Sequence, residues 1–313
     1  MALEVVKKAW PGKIREVTLG GNLTVGGEEA LPFHHFEGQL PHRPVIALEV
    51  PDRDPEDWID LAKAPYEGVL DDPVAWAKKA VEEFGADLVC LNLRSAHPDR
   101  GDRSPEDCAE LVRSVLDAVD VPLIIKGPGP SAKQNEVLPK CGEAAEGKAC
   151  LLAAAVEDHY QTLVAAAQAY GHSIVAESPI DVNMAKQLNI LITEMNFPAE
   201  RIVIDPLTGG LGYGLEYTYS VMERIRLAAL GGDAMLRMPM ICFVGEETWR
   251  VKEAKTPTEE EPRWGDQRSR AILWEVATAV PLLLSGAAIL VMRHPEAAAT
   301  VREAIGELMG GGE

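Results

Sequence analysis

Eight short apolar runs punctuate the chain. They read "VIALEV" from Val45, "LVCLNL" from Leu88, "PLIIKG" from Pro122, "CLLAAA" from Cys150, "SIVAES" from Ser173, "IVIDPL" from Ile202, "MPMICF" from Met238 and "AILVMR" from Ala288. Each is continuously apolar, not alternating, which is the pattern of a parallel strand covered on both faces. A helix-period stretch follows each run. In "SPEDCAELVRSVLDAV", Ser104 stands at the N-cap, Pro105 at the first helical position and Asp107 at the capping-box position. Cys108, Leu111, Val112, Val115, Leu116 and Val119 then share one face. Eight strand–helix units predict an α/β chain closed into a (β/α)8 TIM barrel over residues 45–309. A doubly wound open sheet is the second choice. Residues 1–44 lie outside the count. There "REVTLGGNLTVGGEEALPFHHFEG" alternates around Gly20-Gly21-Asn22, which predicts an N-terminal β-hairpin extension.

Composition narrows the function classes. The chain is 47% hydrophobic and 25% charged, the balance of a globular protein. Thirty Lys and Arg against 49 Asp and Glu give a net charge of −19. A surface that acidic repels nucleic acid and anionic lipid, so neither is an expected partner. The longest greasy run, "AVPLLLSGAAILVM", is too short to span a bilayer, and "MALEVVKKAWPGK" has no signal-peptide core. A cytoplasmic location is expected. The five cysteines form no CxxC pair and no zinc or iron–sulfur spacing, so neither a metal site nor an iron–sulfur cluster is expected on this chain.

In such barrels ligands bind at the carboxyl ends of the strands. Those ends supply Glu49, Asn92, Arg94, Lys126, Gly129, Glu177, Ser178, Asp205, Glu246 and Arg293, with Asp181 and Asn183 just after the fifth strand. After Asp205 comes "GGLGYG", carrying Gly209, Gly210, Gly212 and Tyr213. It is neither G-x-G-x-x-G nor a phosphate loop with Lys-Ser/Thr. It is either a turn that needs positive φ or a loop kept low beneath a broad ligand. No Ser-His-Asp or Cys-His constellation assembles from these ends, and no catalytic residue is assigned. Asn92, Asp181, Asn183 and Asp205 make a hydrogen-bonding ring suited to an amide- or pterin-rich ligand.

"LPFHHFEG", "SPIDVNMAKQLNILITEMNFP", "IVIDPLTGGLGYGLEYTYSVMERIRLAAL", "ILWEVATAV" and "LVMRHPEA" together resemble the small, delta-type subunit of the corrinoid iron–sulfur protein. That protein belongs to the acetyl-CoA decarbonylase/synthase system of anaerobes, and the resemblance is clearest from Leu31 to Ala297. It implies a TIM barrel paired with a large subunit that carries the iron–sulfur cluster and a corrinoid-binding domain. The pair would shuttle a methyl group from methyltetrahydrofolate, through a separate methyltransferase, to acetyl-CoA synthase, fixing carbon dioxide. The corrinoid, a cobamide, would lie at the interface over the barrel mouth. The residues implied to face it are Asn92, Lys126, Gly129, Asp205 and the glycines after it, with Ser178, Asp181, Asn183 and Tyr213 bonding its peripheral amides. The alternative is a pterin-dependent methyltransferase of the same barrel, since those enzymes carry an Asp-x-Asn motif like Asp181-Val182-Asn183.

Overall fold

The computed structural model describes residues 6–129 and 131–310. Strands β1 (Glu16–Leu19) and β2 (Leu23–Gly26) form an antiparallel hairpin in which Val17 faces Val25. Eight parallel strands follow: β3 (Val45–Pro51), β4 (Leu88–Asn92), β5 (Leu123–Lys126), β6 (Leu151–Ala155), β7 (Ser173–Glu177), β8 (Ile202–Asp205), β9 (Met240–Cys242) and β10 (Ala287–Met292). They close in chain order, with β10 returning to β3 through the pairs Ile289–Val45 and Met292–Leu48. The predicted barrel and hairpin are both present. β9 is the shortest of the eight. "MPMICF" yields only the three residues of β9, because Pro239 has no N–H to give the ladder. Its carbonyl still accepts from the Ile204 amide at 2.9 Å.

Helices cover the outside. They are α1 (Asp60–Lys63), α2 (Pro73–Glu82), α3 (Pro105–Leu116), α4 (Ser131–Ala144), α5 (Tyr160–Tyr170), α6 (Val182–Glu194), α7 (Leu215–Leu230), α8 (Val244–Thr248), α9 (Lys252–Lys255), α10 (Gln267–Leu284) and α11 (Pro295–Leu308). α3 starts where its sequence says it should: the Ser104 hydroxyl accepts from the Asp107 amide at 3.1 Å. No helix among the described residues is long and apolar enough to cross a membrane.

The continuous apolar runs are explained by two separate cores. Ile46, Leu48 and Val50 of β3 point outward onto the helix layer, while Val45 and Ala47 point into the barrel. The inner core also takes Leu88, Ile124, Leu151, Val203 and Ile289, and the hairpin adds Val17, Leu19 and Val25 to it. The hairpin therefore plugs the end where the strands begin. Its turn is fitted closely: the Gly20 amide donates to the Ala149 carbonyl at 3.0 Å. Gly20 has φ +59°, and a Cβ there would lie 2.7 Å from Pro122. With that end filled by apolar side chains, polar chemistry is confined to the opposite rim.

Candidate functional site

Following each strand inward and upward, the apolar layers give way to a polar one. Glu49, Asn92, Lys126, Glu177 and Asp205 each lie at or near the end of a strand, and Arg293 follows β10. They interlock. Arg293 Nε donates to Glu49 Oε2 at 2.6 Å, and Asn92 Nδ2 donates to Glu49 Oε1 at 2.7 Å. Burial pushes the Glu49 carboxyl up, but the Arg293 guanidinium outweighs it and holds the group below the usual range. Across the mouth Lys126 pairs with Glu246 at the start of α8 and sits 4.4 Å above the Phe243 ring. The Lys126 charge holds Glu246 down to about 2. Burial alone would depress the Lys126 ammonium, yet Glu246 and Glu49 raise it, so it stays charged.

The two remaining acids have no cation paired with them among the described residues. Asp205 is fully buried, and burial first, then the neighbouring Glu177 charge, drives its carboxyl well above the ordinary range. Its Oδ1 accepts from the Leu207 amide at 2.9 Å. Burial likewise raises Glu177. Asp205 is pushed toward the neutral acid, which can donate a hydrogen bond where a carboxylate cannot. Asp205 and Glu177 line a cavity of about 270 Å³ together with Lys126, Thr208 and Phe243. A second cavity of about 290 Å³ adjoins it and shares Lys126, Gly127, Gly129 and Glu246. The mouth is thus wide and two-lobed. Below it the Cys90 thiol is pushed far up by burial and is no nucleophile. Among the described residues, no three His, Cys, Asp or Glu side chains are grouped to hold a metal ion.

A family model described as CO dehydrogenase/acetyl-CoA synthase delta subunit matches residues 16–303. The chain belongs to that delta-subunit family. The acetyl-CoA decarbonylase/synthase complex subunit delta of Archaeoglobus fulgidus is 40% identical over 325 residues, covering 98% of this chain and 71% of that relative. Subunit delta 1 of Methanosarcina thermophila is 38% identical, covering 96% of this chain and 72% of that relative. Among solved structures, dihydropteroate synthase of Xanthomonas albilineans superposes with a TM-score of 0.56 at 17% identity, covering 93% of this chain and 98% of that one. The enzyme of Thermus thermophilus gives 0.54 at 17% identity, covering 94% and 98%. At such identity the likeness speaks for the barrel alone.

Placed in this delta-subunit barrel, the residues expected at the site divide into two groups. Asn92, Lys126, Gly129 and Asp205 converge on the mouth. Ser178 sits at its edge, lining a third hollow beside Glu177, with its hydroxyl buried and without a hydrogen-bond partner among the described residues. Asp181 is already employed. It caps α6, its Oδ1 accepting from the amides of Asn183 at 2.7 Å and Met184 at 3.0 Å. Asn183 is exposed on the first turn of that helix. The glycines answer to their own turn. A Cβ on Gly209 would lie 2.4 Å from the Gly214 carbonyl oxygen, and Gly212 has φ +77°. The Gly210 carbonyl accepts from the Tyr213 amide at 2.8 Å. Tyr213 points outward, half exposed, and its hydroxyl donates to Glu253 at 2.9 Å.

One group escapes sequence reading. Glu275, inside the apolar stretch "ILWEVATAV", is fully buried under the rim. Its Oε1 accepts from the Arg293 amide at 2.7 Å, and its Oε2 from Trp249 Nε1 at 2.7 Å and the His294 amide at 3.2 Å. Burial raises it to about 7 against the pull of these three donors. Tyr66 donates to the Arg293 carbonyl at 2.6 Å, and the Arg293 guanidinium lies 4.5 Å from the Trp58 ring. Arg293 is therefore held at its backbone and its side chain. The only advance signal of Glu275 is a lone acid in an otherwise apolar stretch.

Proposed function

We propose that this chain is the barrel subunit of a heterodimeric corrinoid iron–sulfur methyl carrier. A large subunit brings the iron–sulfur cluster and the corrinoid, and this mouth covers the corrinoid at the interface. The methyl group comes from methyltetrahydrofolate through a separate methyltransferase and leaves to acetyl-CoA synthase. When bound, the corrinoid supplies the cobalt that carries the methyl group. The residues present suit its amide-fringed periphery. The observation that carries this reading is the state of the mouth's acids. Glu49 and Glu246 are neutralised by Arg293 and Lys126, whereas Asp205, buried beside Glu177, is pushed toward a neutral donor. The unpartnered Ser178 hydroxyl adds a further group of the same kind. Such a surface binds neutral amides through many modest hydrogen bonds and holds no poised base.

The test is reconstitution. The chain, produced with a larger cysteine-rich partner, should yield a complex whose cobalt content falls severalfold when Asp205 becomes Ala. Cobalt retention equal to wild type would sink the proposal. The isolated chain, given methyltetrahydrofolate and free cob(I)alamin, should transfer no methyl group. Transfer would favour the pterin-dependent methyltransferase instead.

A further inference from the structure

We propose that the lobe of the mouth between β4 and α8 is an oxyanion subsite, built on Arg94 and Arg100, for a phosphoryl or carboxylate group. The 290 Å³ cavity there is walled by Arg94, Arg100, Lys126, Arg250 and Arg293, five cations, against the carboxylates of Asp57 and Glu246. In a chain of net charge −19 this is a concentration of the minority sign.

Four of those cations already meet one carboxylate each: Arg94 with Asp57, Lys126 with Glu246, Arg250 with Glu247, and Arg293 with Glu49. Those pairs do not exhaust the donors. Arg94 is nine-tenths buried and gives Nη2 to Asp57, while its Nη1 is buried with no hydrogen-bond partner among the described residues. An unmade bond on a buried guanidinium is costly, and an oxyanion is the acceptor that fits its fork. Its backbone is held in a tight turn after β4, where the Arg94 carbonyl accepts from the His97 amide at 3.1 Å. Arg94 and Arg100 line the adjoining cavity of about 360 Å³ as well. Arg100 is exposed beside it and forms no ion pair among the described residues. Asp57 is the competing charge. Burial works against its ionisation, but Arg94 overrides this and keeps it charged, so it balances Arg94 while Arg100 stays without an ion pair among the described residues.

The subsite stands on the arginines and does not require the corrinoid reading. The test is calorimetric titration of the full chain with inorganic phosphate and, separately, with glutarate. At least one should bind saturably in the millimolar range, and the better of the two tells phosphoryl from carboxylate. Arg100→Gln, an exposed change, and Arg94→Lys should each weaken that binding about tenfold. Lys140→Gln, an exposed change on α4 outside both cavities, should leave it unchanged. The proposal is overturned if neither anion saturates, if both arginine variants bind like wild type, or if Lys140→Gln loses as much. Because the probe is the anion alone, failure here would leave the methyl-carrier reading to its own cobalt test.

Discussion

Asp205 shows how much a single position depends on where the barrel puts it. In the sequence it is an aspartate at a strand end, an obvious candidate for a charged ligand contact. In the fold it is walled off from water beside Glu177, and both influences favour the neutral acid. The sign of the consequence follows from linkage. The unfolded chain loses this proton at about pH 3.9 while the native chain keeps it, so stability from this group falls as pH rises through the interval between the two values. The slope is at most about 1.4 kcal/mol per pH unit. Asp205→Asn removes that term and cannot ionise. Its urea midpoint should therefore gain on wild type as pH rises above about 4. Parallel pH profiles for the two proteins would show that Asp205 is ionised in the native state. The same comparison explains what was legible here: the residue type and its place at the rim could be read from the sequence, its protonation could not. Protonation depends first on burial, then on Glu177, and neither is a local property of the chain.

At the scale of elements the strands and their order were legible because every run is apolar on both faces, a constraint each strand meets on its own. The turn after β8 was not. Four glycines in six positions announce close approach but not to what. In the fold Gly209 approaches its own loop at Gly214, closing the entry to α7. The glycines are then not equivalent. A methyl at Gly209 would meet the Gly214 carbonyl at 2.4 Å, whereas one at Gly210 would meet only the Glu247 carbonyl at 3.5 Å, an ordinary contact. Gly209→Ala should cost about 1–3 kcal/mol in chemical unfolding, and Gly210→Ala less than about 0.5 kcal/mol. Equal costs would mean that the loop relaxes freely and that the turn does not explain the glycines. Asp181 teaches the same lesson. Asp-x-Asn after a strand reads as a ligand motif, yet here the aspartate's first duty is to the amides of its own helix.

Across the whole molecule, the two ends of the barrel do different work, and they should be separable by substitution. The β1–β2 hairpin fills the end where the strands begin, and Leu19 is fully buried in the inner core. Leu19→Ala opens a cavity there and should cost about 2–5 kcal/mol in unfolding free energy, measured in urea. Folded complex carrying that change should retain its cobalt, because nothing at the rim has moved. Asn92 is at the other end of the same barrel. Its amide is one of three donor contacts to the Glu49 carboxylate, and the two from Arg293 remain when it is removed. Asn92→Ala should accordingly lower stability by only about 1 kcal/mol, while the reconstituted complex loses cobalt. If Leu19→Ala sheds cobalt as readily as Asn92→Ala, retention follows overall stability, and the rim has no special part in it. If the two effects separate, the function lies at the end of the barrel where the apolar layers stop.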